Sequence, residues 1–136
     1  MKTMSGCCMP YILGCRSIKR LDGVHPDLVA VVKLAIQKTN VDFSVLEGVR
    51  SKSRQLELFR AGASRTMNSR HLDGHAVDLV AYVNGNVEWA WPLYDRIAVA
   101  MKQASAELGI SIEWGGDWIS FKKDGPHFQL SRKEYP

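Results

Sequence analysis

Two short segments constrain the fold of this chain more than anything else in it: Ser69-Arg70-His71-Leu72-Asp73-Gly74-His75-Ala76-Val77-Asp78, and the later Asp124-Gly125-Pro126-His127. Two imidazoles and two carboxylates act jointly only if the chain near residue 70 meets the chain near residue 127. His71 and Asp78 have a spacing that would share a helix face, but Gly74 between them and the Val77-Asp78-Leu79-Val80 run favour a loop entering a strand. One side chain then comes from the loop and one from the strand. His127 has to arrive on a different strand, after Gly125-Pro126 has turned the chain.

Such an inventory suits a metal. A catalytic zinc takes three protein ligands from His and Asp/Glu and keeps a fourth position for water, so His71, Asp78 and His127 suffice. Water on zinc ionises near pH ~7, against ~15.7 in bulk. Asp124 is then free to act as general acid/base. An unperturbed aspartate titrates near ~3.9, so efficient shuttling calls for a site that raises this value, for instance by partial burial. Glu113 is the reserve base. Arg50, at the end of a predicted strand, is placed to stabilise an oxyanion or to hold a substrate carboxylate. On the strand that follows, the parity of His75 opposes that of Asp78, which makes His75 a supporting or solvent-facing residue rather than a ligand. His25 reads as structural. Ser69 fits either a supporting hydrogen bond or a loop end. Trp114, Asp117 and Trp118 fit either a cleft lining or hairpin packing.

The remaining pattern predicts the scaffold. His25-Pro26-Asp27 opens a helix whose Leu28, Val31, Val32 and Ala35 keep helical spacing, to about Lys38. Val41 to Leu46 alternates as a half-buried strand, and Ser53 to Phe59 is a shorter helix. Ala76 to Val83 is a central strand, and Asn84-Gly85 signals a hairpin with Val87 to Ala90 returning. Pro92 starts a long helix that carries an apolar stripe from Leu93 to Leu108 and ends at Gly109. Ile110 to Trp114 and His127 to Leu130 are the last strands. The fold class is α+β, an antiparallel sheet with helices packed on one side.

At 136 residues the chain accommodates one domain with a sizeable core. We expect residues 16–136 to form a single catalytic domain, residues 1–15 being a leader. Met9 is a candidate natural initiator. Cys7, Cys8 and Cys15 are too few and too clustered to staple the domain, and free thiols made in a reducing compartment are expected. The apolar stretch there is broken by Pro10 and Gly14 and is far below the ~20 residues that span a bilayer. The net charge of +4 attracts anionic polymers, cell wall included, while its dispersed basic residues lack interleaved aromatics. No nucleic-acid partner, no stable membrane association and a monomer are therefore expected.

From Ser17 to Leu130 the chain resembles the LAS-type zinc peptidases of bacterial cell-wall metabolism (peptidase M15). It is especially similar to phage endolysins of the L-alanyl-D-glutamate peptidase type. The resemblance rests on Leu21 to Leu28, Phe43 to Arg50 with Gln55, Ser69 to Asp78, Trp114-Gly115-Gly116-Asp117-Trp118, and Asp124 to Phe128. It implies a hedgehog/D-Ala-D-Ala-peptidase-like fold. It also implies Zn2+ on His71, Asp78 and His127, Asp124 as general acid/base, and Arg50 as the carbonyl-polarising arginine. The implied reaction is hydrolysis of the L-Ala to D-Glu amide in the peptidoglycan stem peptide during host lysis. The enzyme would accumulate in the host cytoplasm and act in the periplasm once the membrane is permeabilised. Two rivals share the same residues: a D-Ala-D-Ala carboxypeptidase or dipeptidase, and a non-catalytic zinc-containing wall-binding module.

Overall fold

The structure, a computed structural model, describes residues 10–64, 67, 69–119 and 123–136. Four helices, α1 (Cys15–Arg20), α2 (Pro26–Lys38), α3 (Lys52–Arg60) and α4 (Trp91–Leu108), accompany five strands. The strands are β1 (Asp42–Glu47), β2 (Ala76–Val83), β3 (Asn86–Glu88), β4 (Ile112–Trp114) and β5 (His127–Leu130). The sheet is antiparallel in the order β1-β2-β5-β4, and β3 pairs with the far end of β2.

Each main helix starts and stops where its sequence dictates. Pro26 opens α2, and His25 Nδ1 accepts the Asp27 N–H at 3.1 Å, satisfying one of the donors a helix start leaves bare. The α2 stripe of Leu28, Val31, Val32, Ala35 and Ile36 is buried. It packs against α4, whose Ile97, Ala98, Ala100, Met101 and Ala104 are buried in turn. Gly109 closes α4 in the left-handed conformation, and the Ile110 N–H returns to Ser105 O at 3.0 Å. That closure consumes residues 109 and 110, so β4 begins at Ile112 rather than at the expected Ile110. The hairpin return is also shorter than expected, because the Ala90 carbonyl already accepts the Leu93 N–H at the start of α4.

Strand periodicity divides the sheet into two unlike faces. Phe43 and Val45, Val77, Leu79 and Ala81, Trp114, and Phe128 and Leu130 all turn into the apolar core with α2 and α4. The alternate positions Asp78, Glu113, His127 and Gln129 belong to the other face. There the register sets Asp78 opposite His127 and Glu113 opposite Gln129. A bulge between Val45 and Glu47 resets β1 so that Glu47 also lies opposite Asp78.

Two further contacts hold the site end together. On α1, Ser17 Oγ accepts the Val45 N–H at 2.9 Å and Arg20 Nη1 donates to Val45 O at 3.0 Å, so the bulged edge of β1 is covered. Leu13, just before α1, is buried in the core. Of the cysteines, Cys15 is exposed with a free thiol, while Cys7 and Cys8 lie outside the described residues. Buried Arg70 donates through Nη2 to Leu130 O at 2.9 Å and to Tyr135 O at 2.7 Å, tying the turn before β2 to the tail.

Phe128 is fully buried and stacked on Trp114 at a ring separation of 6.2 Å, directly behind the site face. Phe128→Ala should lower unfolding free energy by about 3–5 kcal/mol, read as a lower urea midpoint with an unchanged slope.

Candidate metal centre

His71 is carried by a single 3-10 turn, Arg70–Asp73, where the sequence suggested an irregular loop. Ser69 caps the turn, its Oγ accepting the His71 N–H at 3.2 Å, and Gly74 ends it so that the chain can enter β2. The imidazole is 2% exposed, and its Nδ1 lies 2.9 Å from Gly48 O. That carbonyl can approach only because residue 48 is glycine: a Cβ there would stand 2.0 Å from Arg20 O. Nδ1 must therefore carry the proton, which leaves Nε2 as a lone pair aimed at Asp78.

The same logic fixes the second imidazole. His127 Nε2 lies 2.8 Å from Gln129 Oε1, an acceptor, so it is the protonated nitrogen and Nδ1 is the free one. His71 Nε2 and His127 Nδ1 each stand 3.3 Å from Asp78 Oδ1. His71 Nε2 and Asp78 Oδ1 are buried and make no hydrogen bond of acceptable geometry. The donor atoms of the three residues lie within 4.8 Å of one another. Three lone-pair atoms pointed at one another, two of them orphaned, fit a cation held between them, and two nitrogens with one carboxylate oxygen form a zinc-type donor set.

Without the cation, protons take its place. Burial pushes the Asp78 carboxyl up, but His127 and His71, each 3.3 Å from its Oδ1, outweigh that when protonated and hold the group well below the usual carboxylate range. Burial pulls His127 down, yet its contact with Asp78 and that carboxylate's charge raise it above an ordinary histidine. The pair thus stabilises the metal-free protein between the depressed value of Asp78 and the raised value of His127. It weakens as pH falls through the first or rises through the second.

Around the trio stand the other candidate residues. Arg50, with a side chain only 9% exposed, donates to Glu47 Oε1 at 2.5 Å and to Gln55 Oε1 at 2.8 Å, and lies 3.8 Å from Asp78 Oδ2. Its backbone N–H donates to His71 O at 3.0 Å, which locks it to the ligand turn. Asp124 is held by its N–H to Gly115 O at 3.0 Å, and a Cβ on residue 115 would meet Asp124 O at 2.3 Å, so that close approach needs glycine. Although Asp124 is exposed as a residue, its carboxyl is pushed up by desolvation and by the charge of Asp78, against the pull of His127, His71 and Arg50.

Other residues fall outside the trio. Glu113 accepts from Gln129 Nε2 at 3.4 Å and from the Arg132 N–H at 3.2 Å, so its carboxylate is engaged by the same amide side chain that meets His127. His75 is half-buried, edge-on to His25 at 5.4 Å and to Tyr135 at 6.5 Å. Trp118 tilts over His127 with ring centroids 5.1 Å apart, while Trp114 is buried in the core.

Residues 9–131 match the family model described as phage L-alanyl-D-glutamate peptidase. The chain belongs to this family. Across 114 residues it is 31% identical to the L-alanyl-D-glutamate peptidase of Escherichia phage T5, covering 81% of this chain and 83% of that protein. It is 33% identical over 99 residues to the peptidase of the same name from a Listeria phage, covering 73% of this chain but only 34% of the longer relative. Among solved structures it superposes on the Serratia marcescens L-Ala D-Glu endopeptidase ChiX with a TM-score of 0.87 and 55% identity, covering 92% and 94% of the two chains. The vancomycin-resistance D,D-dipeptidase VanXYg shares the fold, with a TM-score of 0.53 at 17% identity over 79% of this chain and 50% of that one. The expected α+β peptidase fold is thus the one found.

Sequence reasoning gave no role to Gln129, Glu47 or Gly48. Gln129 was within reach of it: two residues beyond His127 on a strand, it must share that face. Glu47 required the bulge, and Gly48 required knowledge of a contact with α1, neither of which periodicity reports.

Gln129→Leu should leave His127 Nε2 unpaired and weaken metal affinity about 10- to 100-fold, measured by competition with a chromogenic chelator. In the wild type, affinity should fall by about tenfold per pH unit below the raised value of His127, as one proton competes for Nδ1.

Proposed function

We propose that this chain is a zinc-dependent endopeptidase hydrolysing the L-Ala to D-Glu amide of peptidoglycan stem peptides during host-cell lysis. The observation that carries this reading is the convergence of His71 Nε2, Asp78 Oδ1 and His127 Nδ1, in a member of the phage L-alanyl-D-glutamate peptidase family. Zinc held by these three residues would supply Lewis acidity and lower the pKa of water.

The chain's own residues do the remaining work. Asp124 takes the proton of the attacking water and delivers it to the amine nitrogen of D-Glu as the amide breaks. Desolvation of its carboxyl suits both halves of that task, because it makes the acid form easier to reach than for a solvated aspartate. Arg50, clamped by Glu47 and Gln55, keeps a fixed positive charge beside the reacting carbonyl and needs no reorganisation when negative charge develops there. Among the described residues no helix is long and apolar enough to cross a membrane. The working form is a monomer that accumulates in the host cytoplasm and meets its substrate in the periplasm after the membrane is permeabilised.

Digestion of purified sacculi followed by mass spectrometry tests the bond. New N-terminal D-Glu is expected, chelator should abolish its release and added zinc should restore it. Loss of terminal D-Ala instead would establish the carboxypeptidase reading. Asp124→Asn should cut kcat by about 10²- to 10⁴-fold while bound zinc, measured by elemental analysis, stays at one equivalent.

A further inference from the structure

The substrate brings a sugar to this cleft. In peptidoglycan the L-Ala whose carbonyl is attacked is itself joined through its nitrogen to the lactyl arm of muramic acid. One residue spans at most about 3.6 Å and the lactyl arm adds only a few bonds, so the pyranose is within reach of the surface around the Asp124–His127 loop.

Tryptophans border that loop. Of the four in the chain, Trp114 is buried, whereas Trp89 and Trp91 are 59% and 45% exposed and Trp118 is half-buried. Trp118 flanks the loop, with its ring 5.1 Å from His127. Trp91 borders the loop at Gly125, where a Cβ would lie 3.3 Å from two carbons of the Trp91 ring. Trp114 braces Trp91 and the loop, standing edge-on to Trp91 at 6.4 Å and donating from Nε1 to Gly125 O at 2.7 Å.

Trp91 is 45% exposed, so a ligand that covers its ring gains apolar burial. Lys123 sets its ammonium 5.8 Å from the centre of the Trp91 ring, and exposed Asp124 follows it in sequence. A surface interrupted by charges in this way suits an amphipathic ring rather than an apolar protein face. A pyranose offers C–H faces that stack on indole and oxygens that accept from an ammonium.

We propose that Trp91 and Lys123 form a saccharide subsite that seats the muramyl end of the glycan strand beside the Asp124–His127 loop. This subsite rests on the endopeptidase reading above and adds a contact outside the stem peptide. Trp91 binds substrate without touching the reacting atoms, so its effect belongs in KM.

The test compares the zinc-loaded protein on a muramyl tetrapeptide and on the same tetrapeptide N-acetylated without the sugar. Fluorescence titration with a peptide-free GlcNAc-MurNAc tetrasaccharide runs in parallel. The wild type should favour the muramyl substrate by about tenfold in kcat/KM through KM, and the tetrasaccharide should quench its tryptophan fluorescence. Trp91→Ala should bring the two substrates near parity and weaken the tetrasaccharide about tenfold, and Trp91→Tyr, which keeps a stacking ring, should restore most of both. Equal rates on the two substrates in the wild type, or a preference that survives Trp91→Ala, would overturn the subsite. If neither substrate is cut between L-Ala and D-Glu, the endopeptidase reading fails. The tetrasaccharide titration then decides the subsite by itself, for or against.

Discussion

Two imidazole lone pairs and a carboxylate oxygen aimed at one point repel one another unless positive charge stands among them. Everything around the His71, Asp78 and His127 cluster serves to keep that arrangement. Gly48 O and Gln129 Oε1 fix which nitrogen of each ring is bare, and the antiparallel register of β2 with β5 puts Asp78 and His127 side by side. The apolar core behind the sheet supplies the rigidity. Since Val77, Leu79 and Phe128 alternate with the site residues, the packing that stabilises the fold also holds the ligands in place.

Much of this was legible in the sequence because it follows from period and punctuation. The α2 and α4 stripes, Gly109 as a stop, β2 and β5 all come from local rules that tertiary packing did not override. The convergence of His71, Asp78 and His127 was legible for a different reason. His, Asp and His at strand ends are chemically conspicuous, and the Gly74 break indicated a turn entering a strand rather than a helix. What was not legible depends on contacts between distant segments. The reset of β1 that brings Glu47 opposite Asp78, the approach of Gly48 to Arg20 and the engagement of Glu113 with Gln129 and Arg132 are properties of the assembled sheet.

Asp124 and Glu113 show how place separates two similar groups. Both are carboxylates near His127. Glu113 is satisfied by an amide side chain and a backbone N–H, so it serves to orient Gln129. Asp124 is held through its backbone to Gly115, leaving its carboxyl to respond to the charges of Asp78, His127, His71 and Arg50. Reading residue types alone ranks these two by preference; the hydrogen bonds separate them by role.

Arg70 carries a consequence for engineering. Its guanidinium is enclosed and spans from the residue next to His71 to the carbonyls of Leu130 and Tyr135. Trimming the chain back past Tyr135 would remove one of the two carbonyls that hold this cation next to His71, whereas extending it leaves both in place. Fusion partners are therefore better appended after the last residue than spliced in by shortening, because the tail works as a keystone for the ligand turn.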